Sequence, residues 1–247
     1  MRIAAISDIH GNLAALDAVL ADIARRGVDH IVNLGDILSG PLDPVGTADR
    51  LISLDLPTIG GNQERQLLTL DVSAMGASDA WTAPLLTAGH RAWLAGLPQT
   101  MRFAPDVLLC HGTPASDLDY YLDHVDPSGA RPATAAEIDA RTGNETATLI
   151  LCGHTHIQRS HRRPGGRLIV NPGSVGLPAY DDVHPWAHVM ESGDPRARYA
   201  IVTRGDDGVW TAEPIAVDYD WDSAARTAEA RGRHDWAMAL RTGRMTA

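Results

Sequence analysis

An α/β fold is predicted by two patterns in the sequence. Short β-branched or apolar runs alternate with helical stretches over the first two thirds of the chain, and several runs close on a polar residue beside glycine. Arg2 to Ser7 reads as the first strand. Leu13, Leu16, Leu20 and Ile23 follow at helical spacing, with Gly27 as the stop. Asp29 to Leu34 is the next strand and ends in Gly35-Asp36. Asp43-Pro44 has the form of an N-cap with proline in the first turn, opening a helix towards Leu54. Pro57 to Gly60 reads as a brief strand entering Gly61-Asn62. Trp81, Leu85, Leu86 and Trp93 place one helix, or two broken near Pro84, between Ser78 and Leu94. Asp106 to Cys110 and Thr148 to Cys152 are compact apolar strands, each delivering a histidine, and Leu168 to Val170 precedes Asn171-Pro172-Gly173-Ser174. Tyr199 to Thr203 and Val209 to Val217 form a closing antiparallel pair around Gly205 to Gly208. Trp221 to Leu240 reads as one terminal helix. The polar stretch from Asp117 to Asn144 is expected as a surface excursion.

The 247 residues suit one domain over 1–247, with a motif-bearing core at 1–177 and closing strands and helix at 178–247. A hydrophobic fraction of 44% and a charged fraction of 21% are ordinary for a globular chain. The net charge of -10 argues against a nucleic-acid polymer or an anionic membrane as partner. It leaves a small phosphate substrate open, because bound divalent cations reverse the local sign. Cys110 and Cys152 read as small core residues in a reducing compartment. The amino terminus lacks the pattern of a secretory signal, and no apolar run reaches the ~18–20 residues of a membrane span, so a cytoplasmic setting is expected.

The sharpest feature is the series of strand ends: Asp8-Ile9-His10, Gly35-Asp36, Gly61-Asn62, His111-Gly112 and Gly153-His154-Thr155-His156. Open α/β sheets place ligands beyond the carboxyl ends of their strands. Five such ends would gather Asp8, His10, Asp36, Asn62, His111, His154 and His156 into one cluster. Imidazole with carboxylate and amide oxygen, and no thiolate, suits divalent ions such as Mn, Fe, Zn or Co. The set exceeds what one catalytic metal needs while keeping an open position. Two ions ~3.5–4 Å apart can acidify a bridging water and clamp the attacking and leaving oxygens of a phosphoryl transfer.

This ordered set resembles the calcineurin-like metallophosphoesterase superfamily, and Asn171-Pro172-Gly173-Ser174 is similar to a segment of its small prokaryotic phosphodiesterase branch. The resemblance covers residues 1 to about 177. It implies a four-layer α/β/β/α sandwich with a dimetal site at the strand carboxyl ends. By that likeness Asp8, His10 and His156 hold one metal, Asn62, His111 and His154 the other, and Asp36 bridges. Asp36, Asn62 and His111 would then carry catalysis through a metal-bridging hydroxide. Two divalent ions are implied, Mn first, with Fe, Zn, Ni, Co or Mg also compatible.

The activity implied is hydrolysis of a small phosphodiester or nucleotide. A phosphomonoesterase or a dinucleoside-polyphosphate hydrolase is the alternative within the class. A catalytically weak metal-binding scaffold for a protein partner is the alternative outside it. Where the family has Gly-Asn-His-Asp/Glu, this chain has Gly61-Asn62-Gln63-Glu64. Gln63 can donate a hydrogen bond but cannot protonate a leaving group, so good leaving groups are favoured unless His184 or His161 substitutes. The arginine that grips phosphate in the protein phosphatases is absent after Asp36; Arg65 could reach a phosphate but reads first as an exposed helix residue. Asn12 is either a helix cap or a group that orients a ligand or contacts phosphate, and Asn62 and Gln63 are further substrate-contact candidates. Leu177 to Trp186 is either a substrate wall or a plain loop. Oligomeric state is open, because the terminal segment can pack on its own domain or on a partner.

Overall fold

In the computed structural model, which describes residues 1–245, the chain opens with β1 (Arg2–Ile6), α1 (Leu13–Arg26), β2 (His30–Asn33) and α2 (Pro44–Leu54). Three short helices follow, α3 (Asn62–Thr69), α4 (Ala77–Thr82) and α5 (Ala88–Ala95). The middle of the chain supplies β3 (Thr100–Ala104), β4 (Val107–Cys110), β5 (Asp123–Asp126), β6 (Gly129–Pro132) and α6 (Ala135–Thr142). Next come β7 (Leu149–Leu151), β8 (Gln158–Arg162) and β9 (Leu168–Pro172). The last part holds β10 (Ala179–Asp182), β11 (His188–Glu191), β12 (Ala197–Arg204), β13 (Trp210–Val217), α7 (Trp221–Ala230) and α8 (His234–Thr242).

Two mixed sheets result, ordered β13-β12-β1-β2 and β3-β4-β7-β9-β8. The layers follow from the two-residue period of the strands. Ile3 and Ala5 of β1 face the second sheet, where they meet Val107, Leu109, Leu149, Leu151, Leu168 and Val170. Ala4 and Ile6 point the other way, into Leu16, Val19 and Ile23 of α1 and Leu51 of α2. On the far side of the second sheet, Leu108, Cys110, Ile150 and Ile169 pack on Ile138 of α6. The order is therefore helices, sheet, sheet, helix, as the four-layer expectation required. Both cysteines are buried and free.

Several local expectations are corrected. Pro57 to Gly60 makes only an isolated bridge, Asn33 to Thr58, because Gly60 N–H turns away to the carbonyl of Pro98. The terminal helix is two helices, broken at Arg231-Gly232-Arg233, where Gly232 takes φ +76°. The break lets α7 and α8 fold together, with Ala224, Ala225 and Ala228 against Ala237, Ala239 and Leu240 over Leu42 and Leu177. Trp236 and Leu240 thus pack within their own chain. The 117–144 stretch contains the β5–β6 hairpin and α6 rather than an irregular excursion. Strands β3, β8, β10 and β11 were not expected at all. The region around Pro84 breaks into α4, a 3-10 turn at Ala83–Leu85, and α5, the second of the two forms anticipated.

Among the described residues, no helix is long and apolar enough to cross a membrane.

Leu151 is fully buried between the sheets. Leu151→Ala should lower unfolding free energy by ~2–5 kcal/mol in urea titration. An unshifted midpoint would mean that this interface does not carry the stability assigned to it.

Candidate metal centre

Five of the seven expected donors sit at a backbone kink. Asp8, His10, Asp36, His154 and His156 all have positive φ, between 52° and 71°. A left-handed conformation is disfavoured by ~1–2 kcal/mol for a residue with a side chain, so five at one place must be held there by their surroundings. Backbone bonds do part of this. Asp8 N–H donates to Gly35 O at 3.0 Å, and His10 N–H donates to Asp36 O at 3.1 Å. His154 N–H reaches the Asp8 carboxylate at 3.2 Å, which ties the second sheet to the first.

The side chains gather into two groups of three, Asp8 with His10 and His156, and Asp36 with His111 and His154. Within each group the ligand atoms lie within 4.8 Å of one another. Asn62 starts α3 beside the second group. It is 7% exposed, and its Oδ1 has no hydrogen-bond partner among the described residues.

All four imidazoles are oriented by backbone carbonyls. His10 Nδ1–H donates to Ser39 O at 3.0 Å, and His111 Nδ1–H to Leu34 O at 2.8 Å. His156 Nδ1–H donates to Leu177 O at 2.7 Å, and His154 Nε2–H to Leu118 O at 3.0 Å. A carbonyl oxygen only accepts, so in each neutral ring the other nitrogen is a bare acceptor. His10 Nε2 and His156 Nε2 then face each other at 3.0 Å with opposed lone pairs. His111 Nε2 is buried, 3.3 Å from Asp36 Oδ2, without a hydrogen bond. Inward lone pairs on buried rings, with outer nitrogens fixed by carbonyls, are the arrangement of metal-ligating histidines. The residues present fit divalent cations.

Electrostatics agree with this for the two carboxylates and for His10 and His154. Burial opposes ionisation of Asp8, yet His156 3.4 Å away holds its carboxyl below the usual range. For Asp36 burial is likewise outweighed, here by His111. Burial draws His10 and His154 down to about 4, which keeps them neutral as ligands must be. His111 differs: burial acts against its charge, but Asp36 prevails and pushes it up to about 10.

A second layer buttresses the ligands. Ser174 Oγ donates to Asp8 O at 2.6 Å, and Asn171 Nδ2 donates to Gly153 O at 2.6 Å and to Thr155 Oγ1 at 3.1 Å. The Asn171-Pro172-Gly173-Ser174 segment thus props the turns that carry Asp8 and His154. Ser39 Oγ donates to buried Asp79 of α4, whose carboxyl burial pushes up to about 6.

The remaining expected residues separate clearly. Asn12 caps α1, its Oδ1 accepting from Ala15 N–H at 3.2 Å while Nδ2 donates to Gly176 O and Tyr219 Oη. Gln63 lies at the site, with its N–H on Asp36 Oδ1 at 3.0 Å and its Oε1 buried without a partner among the described residues. Arg65 is neither free in solvent nor turned to the cluster, because Asp117 holds it through two hydrogen bonds of 2.7 and 2.9 Å. His184 is exposed in the connection from β10 to β11, and His161 pairs with Ile169 on β8, away from the carboxyl end of β9.

Sequence reasoning missed Tyr120 and His188, and it left Tyr180 within an unassigned loop. The Tyr180 ring lies 4.5 Å from that of His156, and the Tyr120 ring 5.1 Å from that of His154. Tyr120 Oη is 2.6 Å from Tyr180 Oη and 2.9 Å from His188 Nε2. No spacing in the chain marks these residues, because they are brought together by the unexpected β10–β11 hairpin.

His111 must lose its proton before Nε2 can ligate, so loading with Mn²⁺ at pH 7 should release a proton from the protein. Sign follows from the raised value: below about 10 the ring is mostly protonated, and affinity should fall as pH falls. Calorimetric heats measured in buffers of different ionisation enthalpy check this, and buffer-independent heats would contradict it.

The fold agrees with known proteins. The family model described as the calcineurin-like phosphoesterase superfamily domain matches residues 1–193. An uncharacterized protein of Methanocaldococcus jannaschii is 29% identical over 243 residues, covering 88% of each chain. The crystal structure of a metallophosphoesterase from Sphaerobacter thermophilus superposes with a TM-score of 0.75 at 27% identity, covering 99% of both chains. A candidate diadenosine tetraphosphatase of known structure, at 19% identity and TM-score 0.52, covers 86% of this chain and 93% of its own, and shares the fold. With its family model spanning the whole second sheet, β1 and β2 of the first, and every candidate ligand, the chain belongs to the calcineurin-like phosphoesterase superfamily.

Proposed function

We propose that the chain is a dimetal-dependent phosphodiesterase acting on a small phosphodiester or nucleotide. The observation that carries this reading is the pair of contiguous three-ligand groups, with bare imidazole nitrogens opposed at 3.0 Å in one of them. Asp8, His10 and His156 would hold one ion, and His111, His154 and Asn62 the other, with Asp36 placed to serve both. Two such ions supply a water acidified towards neutral pH and positive charge for the phosphoryl oxygens. Manganese as the first ion, a cytoplasmic setting and a small phosphate ester as partner belong to the same reading.

The chain's own residues favour a diester. A monoester dianion is usually gripped by a free guanidinium, and here Arg65 is already committed to Asp117. Gln63 offers a neutral amide where a proton donor would help most with a poor leaving group. His184 is exposed and His161 lies on β8; with Gln63 unable to give a proton, departure of the leaving group would rest on its own acidity.

Metal-stripped protein given Mn, Ni, Zn, Co or Mg singly should hydrolyse bis(p-nitrophenyl) phosphate faster than p-nitrophenyl phosphate. Asp36→Asn should lose more than the ~10–100-fold typical of changes to residues outside the ligand set. Metal binding without turnover for any ion would favour a scaffold instead. Gln63→His should help an alkyl leaving group far more than p-nitrophenolate, within the ~10²–10⁴-fold range of general acid catalysis. Equal gains on both would remove the argument built on Gln63.

A further inference from the structure

Glu64 is a carboxylate that neither ligand group uses, although it is 2% exposed and lies directly behind the second group. It sits in the first turn of α3, where a glutamate ordinarily closes a capping box with its own helix. It does so here, with Oε2 accepting from Gly61 N–H at 2.8 Å. The same carboxylate also reaches across to the other turn. Oε2 accepts from Asp36 N–H and Oε1 from Ile37 N–H, both at 2.8 Å. By contrast the capping glutamate of α6, Glu137, accepts from Thr134 and Arg131 and lies 3.6 Å from His124, with no bond to a ligand turn among the described residues.

The two turns joined by Glu64 are in backbone contact. Gly35, at φ +95°, and Gly61 leave no room for side chains between them, and a Cβ on Gly61 would collide with the Asp36 carboxylate. Asp36 itself is held at positive φ. The Gln63 N–H completes the junction by donating to Asp36 Oδ1 at 3.0 Å. We propose that Glu64 is a positioning residue, whose carboxylate pins the Gly35-Asp36 turn to the Gly61-Asn62 helix start so that Asp36 and Asn62 can serve one ion. The role rests on the dimetal reading above and deepens it: Glu64 sets the affinity of the second ion and its coupling to the first. A cap alone would stabilise α3 and leave the metals indifferent.

The test uses the full chain and Mn²⁺ alone as probe, titrated by calorimetry and followed by electron paramagnetic resonance for the spin-coupled pair. Glu64→Gln keeps the side-chain shape but sets an NH2 against a backbone N–H. It should bind the first ion nearly as wild type and the second ~10–100-fold more weakly, in the range for residues that orient ligands. The coupled signal should then appear only at correspondingly higher Mn²⁺. At fixed Mn²⁺, kcat on bis(p-nitrophenyl) phosphate should fall with KM unchanged, and excess Mn²⁺ should restore part of it. Glu137→Gln, which removes a capping glutamate remote from the site, should leave both Mn²⁺ affinities unchanged. Wild-type affinities and coupled signal in Glu64→Gln, even with a lower Tm, would overturn the proposal and reduce Glu64 to a helix cap. Should that variant not fold, Glu64→Asp keeps the charge but shortens the reach, and it should show the same selective weakening of the second ion. Unchanged binding in Glu64→Asp would overturn the role equally. Wild type binding fewer than two ions would sink the dimetal reading itself, whereas two ions in wild type and an unchanged Glu64→Gln sinks only the role of Glu64.

Discussion

Four buried or half-buried imidazoles, each with one nitrogen spent on a backbone carbonyl, impose the central constraint on this structure. The carbonyls of Leu34, Ser39, Leu118 and Leu177 come from four separate turns, and each decides which ring nitrogen faces inward. Lone pairs that meet at 3.0 Å repel unless a cation lies between them. The kinked backbone at Asp8, His10, Asp36, His154 and His156, the short N–H contacts of Glu64 and the buried Ser39–Asp79 pair all serve to maintain that convergence. The protein has built a region of its interior that is unfavourable for the chain by itself and favourable around positive charge.

How much of this was legible in the sequence depends on the range of the information. The strand ends were readable because a strand followed by Gly-Asp or Gly-His-Thr-His is a local signal, and six of the seven expected donors fall in the two candidate ligand groups. Asp43 as the cap of α2 was readable for the same reason, and its Oδ1 does accept from Gly46 N–H. The break at Gly232 was also local, yet the apolar spacing on either side outweighed it. The hairpin of β10 and β11 carried no comparable mark, since Asp181, Asp182 and Val183 are exposed and its value lies in what it touches. Tyr120 and His188 are 68 residues apart and become neighbours only in the folded chain. Arg65 failed as an exposed residue because its partner, Asp117, is 52 positions away.

On the reading proposed above, the donor set would keep its ligands while its chemistry differs at Gln63. Gln63 stands one residue from Asn62 and bonds Asp36 through its backbone rather than its side chain. The side chain at that position is therefore free to vary without disturbing the junction, whereas the neighbouring Glu64, bonded by three backbone N–H groups, is not. On the proposed roles, adjacent positions on one helical turn would separate what the site does from what holds it together.

Each ligand group draws on both sheets: Asp8 and His10 from the first meet His156 from the second, and Asp36 meets His111 and His154. Cations there would act as cross-links across the seam, in the manner of a disulfide that can be removed. His10 and His156 are separated by 146 positions, so the pair forms only when nearly the whole motif-bearing chain has been assembled. Interactions that arise that late are weak in the folding transition state, and their strengthening shows in the unfolding rate rather than the folding rate. Bound ions would then act chiefly as a brake on opening, seen in the unfolding limb of denaturant kinetics, and the loaded protein would owe its persistence to kinetics as much as to equilibrium.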